Sequence, residues 1–180
     1  MASPVRRAAD GPGSLSSRAE SRMGGQDVDD LERNKGLIGT YWNAVNSEDY
    51  ATLESIHDPA ARNHAPAAFD LTEWPPEGKP FGPVEVRETY QWIRSGQPDL
   101  HVDVEGIIAE ADQVVAWVRA TSTLTGTGGP IPPTGRRIDF HHAHRFRIRD
   151  GRIFEHWAVR DDLRSLIQAG VVSPPGRPGA

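Results

Sequence analysis

The hydrophobic pattern of this chain changes its period after about residue 97. Before that point apolar residues recur at the spacing of one helix face, and after it they alternate with polar residues at the spacing of a strand. The predicted helices are 27–50, 47–57, 82–96 and 161–170, and the predicted strands are 100–110, 113–126 and two more within 137–162. Helices followed by an antiparallel meander predict an α+β fold, with the helices packed on one face of a curved sheet.

One folded domain accounts for the length of the chain. A chain of 180 residues can bury a single sizeable core. Residues 1–26 hold almost no large apolar side chains, and residues 173–180 are rich in Pro and Gly, so neither segment can offset the entropy lost on folding. We therefore predict a single domain, 27–172, between two disordered tails.

Charge and composition argue against several classes of protein. The net charge is −5 and the Lys and Arg residues are scattered, which gives no basic surface for nucleic acid. No apolar run approaches the ~20 residues of a membrane helix, and the N-terminal segment lacks the apolar core of a signal peptide, so we predict a cytoplasmic protein without a membrane partner. Because cysteine is absent, histidine and carboxylate side chains are the strongest candidate ligands.

The segment RIDFHHAHRFRIRDGRIFEHWAVRDD, residues 137–162, contains four of the seven histidines. One set of alternating positions is aromatic, imidazole or aliphatic, namely Phe140, His142, His144, Phe146 and Ile148. In a strand these side chains share one face, and His141 falls on the other face among arginines. We predict that the first face points into the domain and that His141 lies at the surface.

The loop at residues 150–151 decides which side chains of the next strand join this face. A two-residue loop brings Glu155 and Trp157 to the histidines. A three-residue loop instead brings Phe154, His156 and Ala158. We favour the three-residue loop, because it places Glu155 beside the arginines and lets Trp157 cover an Arg side chain. It predicts one concave face that carries His142, His144 and His156.

Three functions are compatible with such a face. Two histidines separated by one residue, with a third nearby, can bind a divalent metal. Metal-bound histidines usually have a carboxylate partner, however, and this face offers none unless the two-residue loop brings Glu155 to it. Half-buried histidines can also be structural, satisfied by each other or by the main chain. We favour an acid-base site without metal, since histidine titrates near neutral pH and burial favours the neutral form of the ring, which suits a base.

The most specific motifs of the chain are PDL at 98–100, PTGR at 133–136, and DGRIFEHW at 150–157 followed by an Asp a few residues later. With these motifs, about residues 33–170 resemble the SnoaL-like polyketide cyclases, also called ester cyclases. The resemblance implies a cone-shaped fold of the nuclear transport factor 2 type, in which helices and a bent sheet enclose a pocket. It also implies a homodimer formed through the sheet.

The founding members of that family close the last ring of aromatic polyketide methyl esters by an intramolecular aldol step, without metal or organic cofactor. A carboxylate abstracts the proton, and histidine and amide side chains stabilise the enolate. By resemblance, His144 matches the pocket histidine of the family and His142 falls at another polar pocket position. The catalytic Asp of the family corresponds to Ala158, so the usual base is missing.

Three alternatives follow from the missing carboxylate. His144 or His156 can be the base, Asp161 or Asp162 can reach in from the last helix, or the domain can hydrate, hydroxylate or only bind its ligand. A strand fixes a side chain better than the start of a helix does, and Asp161 is also suited to cap that helix, so we rank the histidines first. The further residues expected to line the pocket are His64, Tyr41, Trp42, Trp117, Arg119, Phe140, Phe146, Phe154, Ala158 and Asp161.

The sequence therefore predicts a cofactor-independent enzyme of the polyketide cyclase type. We expect a flat, apolar, carbonyl-bearing substrate and acid-base catalysis by His144 and His156, with His142 beside them. The alternative is a related protein that hydrates, hydroxylates or only binds a hydrophobic small molecule.

Overall fold

The computed structural model describes residues 15–66, 74–174 and 176, with side chains from residue 28 onward. The helices are α1 (Leu15–Ser47), α2 (Tyr50–Ile56), α3 (Pro83–Gly96) and α4 (Asp162–Ala169). The strands are β1 (His57–Asn63), β2 (Lys79–Pro80), β3 (His101–Glu110), β4 (Gln113–Thr123), β5 (Arg137–Arg149) and β6 (Arg152–Arg160). This order confirms the predicted α+β fold, with most of the helical residues before the meander.

The starts of two helices differ from the sequence-based expectation. The backbone of α1 is helical from Leu15, which extends the helix into the segment predicted as an N-terminal tail. The cap of α2 is Asp49, whose carboxylate accepts from the Thr52 amide at 3.0 Å. Ser47 is not the cap as predicted, because its hydroxyl donates to the Asn43 carbonyl inside α1. Residues 1–14, 175 and 177–180 of the predicted tails lie outside the described residues.

The six-stranded sheet has the order β2-β1-β6-β5-β4-β3. Strands β3 to β6 form the predicted antiparallel meander. The prediction missed β1, which pairs in parallel with β6, and β2, which pairs antiparallel with β1. The sequence HDPAARN of β1 lacks apolar alternation and contains a proline, so no local pattern marks it as a strand. Within the described part of the chain, no helix is both long and apolar enough to cross a membrane.

The core lies between the helices and one face of this sheet, which we call the inner face. Alternate side chains of β4 are buried there, from Val114 to Ala120, and so are those of β5 from Ile138 to Ile148, except His142, which is half-buried. Helix α1 covers them with Ile38, Tyr41 and Trp42, which are almost completely buried. Burial of apolar side chains is the main stabilising contribution, ~1.5–3 kcal/mol for each large one. The opposite, exposed surface of the sheet is called the outer face.

The hairpin between β5 and β6 has a two-residue turn, not the three-residue loop that we predicted. Arg149 pairs with Arg152, and both turn residues, Asp150 and Gly151, have positive φ (51° and 72°), which is a type I′ turn. The register then shifts by one residue at Phe154, a β-bulge on β6. Beyond the bulge His156 pairs with Phe146 and Ala158 with His144, so the predicted face of His156 and Ala158 is confirmed although the predicted loop is wrong.

We expect Gly151→Ala to lower the free energy of unfolding by ~1–2 kcal/mol, since an L side chain is strained at positive φ. A Cβ at this position would meet no atom within 4 Å, so the cost arises from the backbone alone. Gly106→Ala is the matched control, because its Cβ also meets open space and its φ is not positive. Denaturant unfolding of both variants tests this, and an equal effect of the two substitutions would contradict the turn assignment.

Candidate functional site

Three histidines on the inner face form a hydrogen-bonded series, which we call the histidine chain. Nδ1 of His142 lies 3.2 Å from Nε2 of His144, its neighbour but one on β5. Nδ1 of His144 lies 2.8 Å from Nε2 of His156 on β6. The prediction that these side chains share one face is confirmed, and the structure shows in addition that their rings contact one another in sequence.

The two ends of the histidine chain differ. At one end, Nδ1 of His156 lies 3.0 Å from Oδ1 of Asn63, the last residue of β1. That oxygen also accepts the main-chain N–H of Ala65 at 2.9 Å. At the other end, Nε2 of His142 is buried and has no hydrogen-bond partner among the described residues. One end of the histidine chain is therefore held by an amide oxygen, and the other end is a buried ring nitrogen without a partner among the described residues.

Aromatic rings surround the histidine chain. Trp42 meets the ring of His144 edge to face, with centroids 4.8 Å apart. The ring of Phe81 stacks on His156 at 5.5 Å. Two phenylalanine rings also contact the histidine chain. The ring centroid of Phe140 lies 4.4 Å from that of His142, and the centroid of Phe146 lies 5.0 Å from that of His156. These apolar contacts remove water from the imidazoles and penalise their charged forms.

The electrostatics of the site keep the histidines neutral. Burial lowers the pKa of His142 to about 3, and electrostatic interactions with Arg160 and His141 contribute less. Burial, followed by the charges of His57 and Arg160, lowers the pKa of His156 to about 3. For His144, which is only 6% exposed, burial and then the two flanking histidines hold the pKa well below its usual range. At neutral pH each ring therefore offers one N–H and one lone pair.

Arg160 is a site residue that the sequence analysis missed. It pairs with His142 across the β5–β6 ladder, so its side chain starts from the inner face beside that ring. The guanidinium donates to the Pro66 carbonyl and, through Nε at 3.3 Å, to Asp162. His156, Ala158 and Arg160 are alternate residues of β6, so their side chains share one face of the strand. This spacing could have identified Arg160 from the sequence.

Five of the predicted lining residues lie on the histidine side of the sheet. Trp42, Phe140 and Phe146 contact the histidines, as described above. Tyr41 packs on Phe146 at 5.2 Å, and its hydroxyl lies 2.6 Å from that of Tyr90. Ala158 lies opposite His144, so no carboxylate occupies the position of the catalytic Asp in the family resemblance.

Two predicted lining residues of β4 lie elsewhere. Trp117 and Arg119 are on the outer face, where Trp117 stacks on His141 at 5.5 Å and Arg119 pairs with Asp139. The inner positions of β4 belong to smaller side chains such as Ala116 and Val118. The expectation that Trp117 and Arg119 line the pocket is therefore corrected, whereas the surface location of His141 is confirmed.

The other three predicted contacts are also corrected. His64 stacks on Trp157 at 4.5 Å and its Nε2 lies 3.2 Å from Glu155, which places it against the outer face.

Phe154 is the bulge residue and lies under the Arg149 guanidinium, 3.5 Å from the ring centroid. Asp161 caps α4, accepting from the Arg164 amide at 3.2 Å, so its interpretation as a helix cap is the one that the structure supports.

The arrangement of the imidazoles suits proton transfer better than metal binding. Both ring nitrogens of His144 are engaged with neighbouring rings, and a metal ligand needs a free lone pair directed at a shared centre. Among the described residues, no group of three or more His, Cys, Asp or Glu side chains is placed to hold a metal ion. A hydrogen-bonded series of neutral imidazoles can accept a proton at one end and share the resulting charge.

Comparison with known proteins identifies the relatives of this chain. The model of the SnoaL-like polyketide cyclase family matches residues 36–169. IdmH from Streptomyces antibioticus, a candidate polyketide cyclase, is 31% identical, with a TM-score of 0.65 over 76% of this chain and 98% of IdmH. No curated protein is significantly similar in sequence.

Two further solved structures share the fold at lower identity. AclR from Streptomyces galilaeus, a candidate hydroxylase, is 22% identical, with a TM-score of 0.66 over 82% of this chain and 87% of AclR. A candidate SnoaL-like polyketide cyclase from Jannaschia sp. CCS1 is 21% identical, with a TM-score of 0.64 over 81% of this chain and 95% of that protein. At these identities the similarity is evidence for the fold alone.

We expect the free energy of unfolding to decrease as the pH falls below about 6.5. The pKa of His142 is lowered from 6.5 to about 3 in the folded protein, so between these values the unfolded state binds more protons and is favoured. The stabilising effect of the neutral ring is complete above pH 6.5 and is lost progressively below it. His142→Gln removes one such group, so its stability should fall less steeply with pH, by up to ~1.4 kcal/mol per pH unit.

Denaturant unfolding at pH values from about 7 to about 4.5 measures this difference. His141→Gln is the neighbouring control, since it removes an imidazole that is 41% exposed on the outer face and lies outside the histidine chain. Equal slopes for the original protein and His142→Gln would show that His142 is not held neutral by the fold.

Proposed function

The chain belongs to the SnoaL-like polyketide cyclase family, and we propose that it closes a ring in a flat, largely apolar, carbonyl-bearing small molecule by acid-base catalysis. The observation that carries this proposal is the histidine chain, whose terminal nitrogen, Nε2 of His142, is buried without a hydrogen-bond partner among the described residues. The aromatic rings around it suit a flat apolar substrate. A location in the cytoplasm belongs to the same proposal.

The proposed reaction starts with a proton on a carbon between two carbonyl groups. Nε2 of His142 accepts that proton, and the electron pair of the C–H bond is delocalised into an enolate. The enolate carbon attacks a second carbonyl carbon of the same molecule, forming a C–C bond and an alkoxide. The proton held by the histidine chain then returns to the alkoxide oxygen, so the product is an isomer of the substrate.

Arg160 and the histidine chain have complementary roles in this reaction. The guanidinium is the nearest cation along the ladder to His142, and it can stabilise the negative charge of the enolate oxygen. The low pKa of His142 leaves its ring neutral at pH 7, so that the lone pair of Nε2 carries no proton before the reaction. The enolate formed beside it favours the imidazolium, which offsets the cost of charging a buried ring. His144 and His156 share the charge through their hydrogen bonds.

Replacement of His142 by Gln should lower turnover by ~10²–10⁴-fold, because it removes the proton acceptor. Substrate affinity should change little. The assay uses an aromatic polyketide methyl ester with adjacent carbonyl groups, and the product is separated chromatographically as a compound of unchanged mass. His141→Gln, one residue away on the outer face, is the control and should keep full turnover.

A second variant separates the proposed roles. Arg160→Gln should also lower turnover, by ~10²–10³-fold, while leaving the base in place. Full activity of His142→Gln would contradict the assignment of the base. If the original protein binds such esters but neither closes the ring nor exchanges the acidic proton with solvent deuterium, the protein is a small-molecule binder, which is the alternative role considered for a chain with Ala158.

We also propose that the protein is a homodimer formed through the outer face of the sheet. Large apolar side chains on this face are exposed, with Ile108 at 73%, Trp117 at 49% and Val159 at 77%. Val159 and Trp117 flank Ala143 in one row across β6, β5 and β4. A continuous apolar row of this kind is favoured at an interface between subunits.

Replacement of Trp117 by Glu should convert the dimer to a monomer, because it places a charge in the centre of the proposed interface. Trp92→Glu is the matched control, since Trp92 is also 49% exposed but lies on α3. Sedimentation velocity measures the outcome. A monomeric original protein, or a Trp117→Glu variant that stays dimeric, would exclude this interface.

A further inference from the structure

We propose that Asn63 is a positioning residue that sets the direction of the hydrogen bonds along the histidine chain, so that the resting site presents a proton acceptor at Nε2 of His142. The effect of Asn63 on turnover rests on the function proposed above, whereas its effect on the hydrogen bonds does not. Asn63 lies opposite His156 in the parallel β1–β6 ladder, so its side chain reaches the inner face at the far end of the histidine chain.

The main chain fixes the orientation of the Asn63 amide. The side-chain atom that faces His156 also lies 2.9 Å from the backbone nitrogen of Ala65. A backbone N–H can only donate, and the NH₂ group of an asparagine can only donate. The atom that faces both groups is therefore the amide oxygen, because the opposite orientation would set two donors against each other.

The fixed oxygen determines the protonation of each ring in turn. Nδ1 of His156 must carry a proton to donate to Asn63, and a neutral imidazole has only one N–H, so Nε2 of His156 accepts from Nδ1 of His144. By the same reasoning Nε2 of His144 accepts from Nδ1 of His142. Nε2 of His142 is left with a lone pair. Three imidazoles are thus aligned by one amide.

The reverse orientation would give the opposite chemistry. If the amide presented its NH₂ group, Nδ1 of His156 would have to accept, and each following ring would carry its proton on Nε2. The free end at His142 would then be a donor, which is an acid. The contact between Ala65 and Asn63 therefore selects a base over an acid at a position two rings away.

Burial makes this selection effective. A doubly protonated ring would donate from both nitrogens and would break the alignment. The apolar contacts of Phe81, Trp42 and Phe146 disfavour that state, and the pKa of His156 is lowered to about 3 accordingly. Each ring therefore stays neutral near pH 7, and the direction set at Asn63 is transmitted along the chain.

Heteronuclear NMR of protein labelled at the histidine ring nitrogens tests the alignment without substrate. A protonated and a bare ring nitrogen differ strongly in chemical shift, so each tautomer is read directly. In the original protein we expect protonated Nδ1 and bare Nε2 for His142, His144 and His156. A protonated Nε2 at neutral His142 would overturn the proposal whatever the protein catalyses.

Two variants test the role of Asn63. Asn63→Leu removes the acceptor and should abolish the common tautomer pattern, and it should lower kcat by at least about tenfold with little change in KM. Asn63→Asp keeps an acceptor for both N–H groups, so the pattern and the activity should be retained. The introduced carboxylate should raise the pKa of the imidazoles in the histidine chain. The loss of activity on the acid side of the pH profile should therefore begin at a higher pH.

Asn43→Leu, on the exposed side of α1, is the control and should change neither the NMR pattern nor kcat. If Asn63→Leu folds and retains the pattern of the original protein, Asn63 does not set the direction. If that variant does not fold, the NMR of the original protein and the pH profile of Asn63→Asp still decide the question. Correct tautomers without ring closure by the original protein would contradict the proposed function and leave the alignment intact.

Discussion

The register between β5 and β6 determines which side chains this domain buries together. A single extra residue at Phe154 reverses the alternation of β6 relative to its two-residue turn. Without this bulge, Glu155 and Trp157 would point to the inner face, and a carboxylate would be buried among aromatic rings at high cost. With it, Glu155 pairs with Arg147 at 2.7 Å on the outer face, and Arg145 covers Trp157. The imidazoles on the inner face are then free to bond to one another.

Local alternation was sufficient to predict much of the histidine chain. Successive side chains of β5 point to opposite faces of the sheet, so once the inner face is identified the face of every residue is fixed. His142 and His144 could therefore be separated from His141 by sequence alone. The face of His156 was predicted for a wrong reason, because a bulge in β6 changes parity in the same way as an extra loop residue. Asp-Gly favours a type I′ turn, and that preference was the better guide to the loop itself.

Other parts of the site depend on contacts that no local pattern encodes. Asn63 and His156 are 93 positions apart in the sequence, and they meet only because β1 pairs with β6 in parallel. The error at Trp117 has a different origin, since Val114, Ala116 and Val118 already form the apolar alternate positions of β4 and leave Trp117 on the other face. Small side chains occupy those inner positions, and the larger ring stays outside.

The end of the histidine chain at Asn63 also limits where a proton can go. Imidazoles pass protons onward because each nitrogen can both take and give one, but an amide oxygen accepts a hydrogen bond and is too weak a base to keep the proton. Through the contacts described, a proton can therefore enter or leave the series at Nε2 of His142, but it cannot be passed on at the end that contacts Asn63. In the proposed reaction the series would hold one proton and return it where it was taken, which suits a rearrangement that leaves the composition of the molecule unchanged.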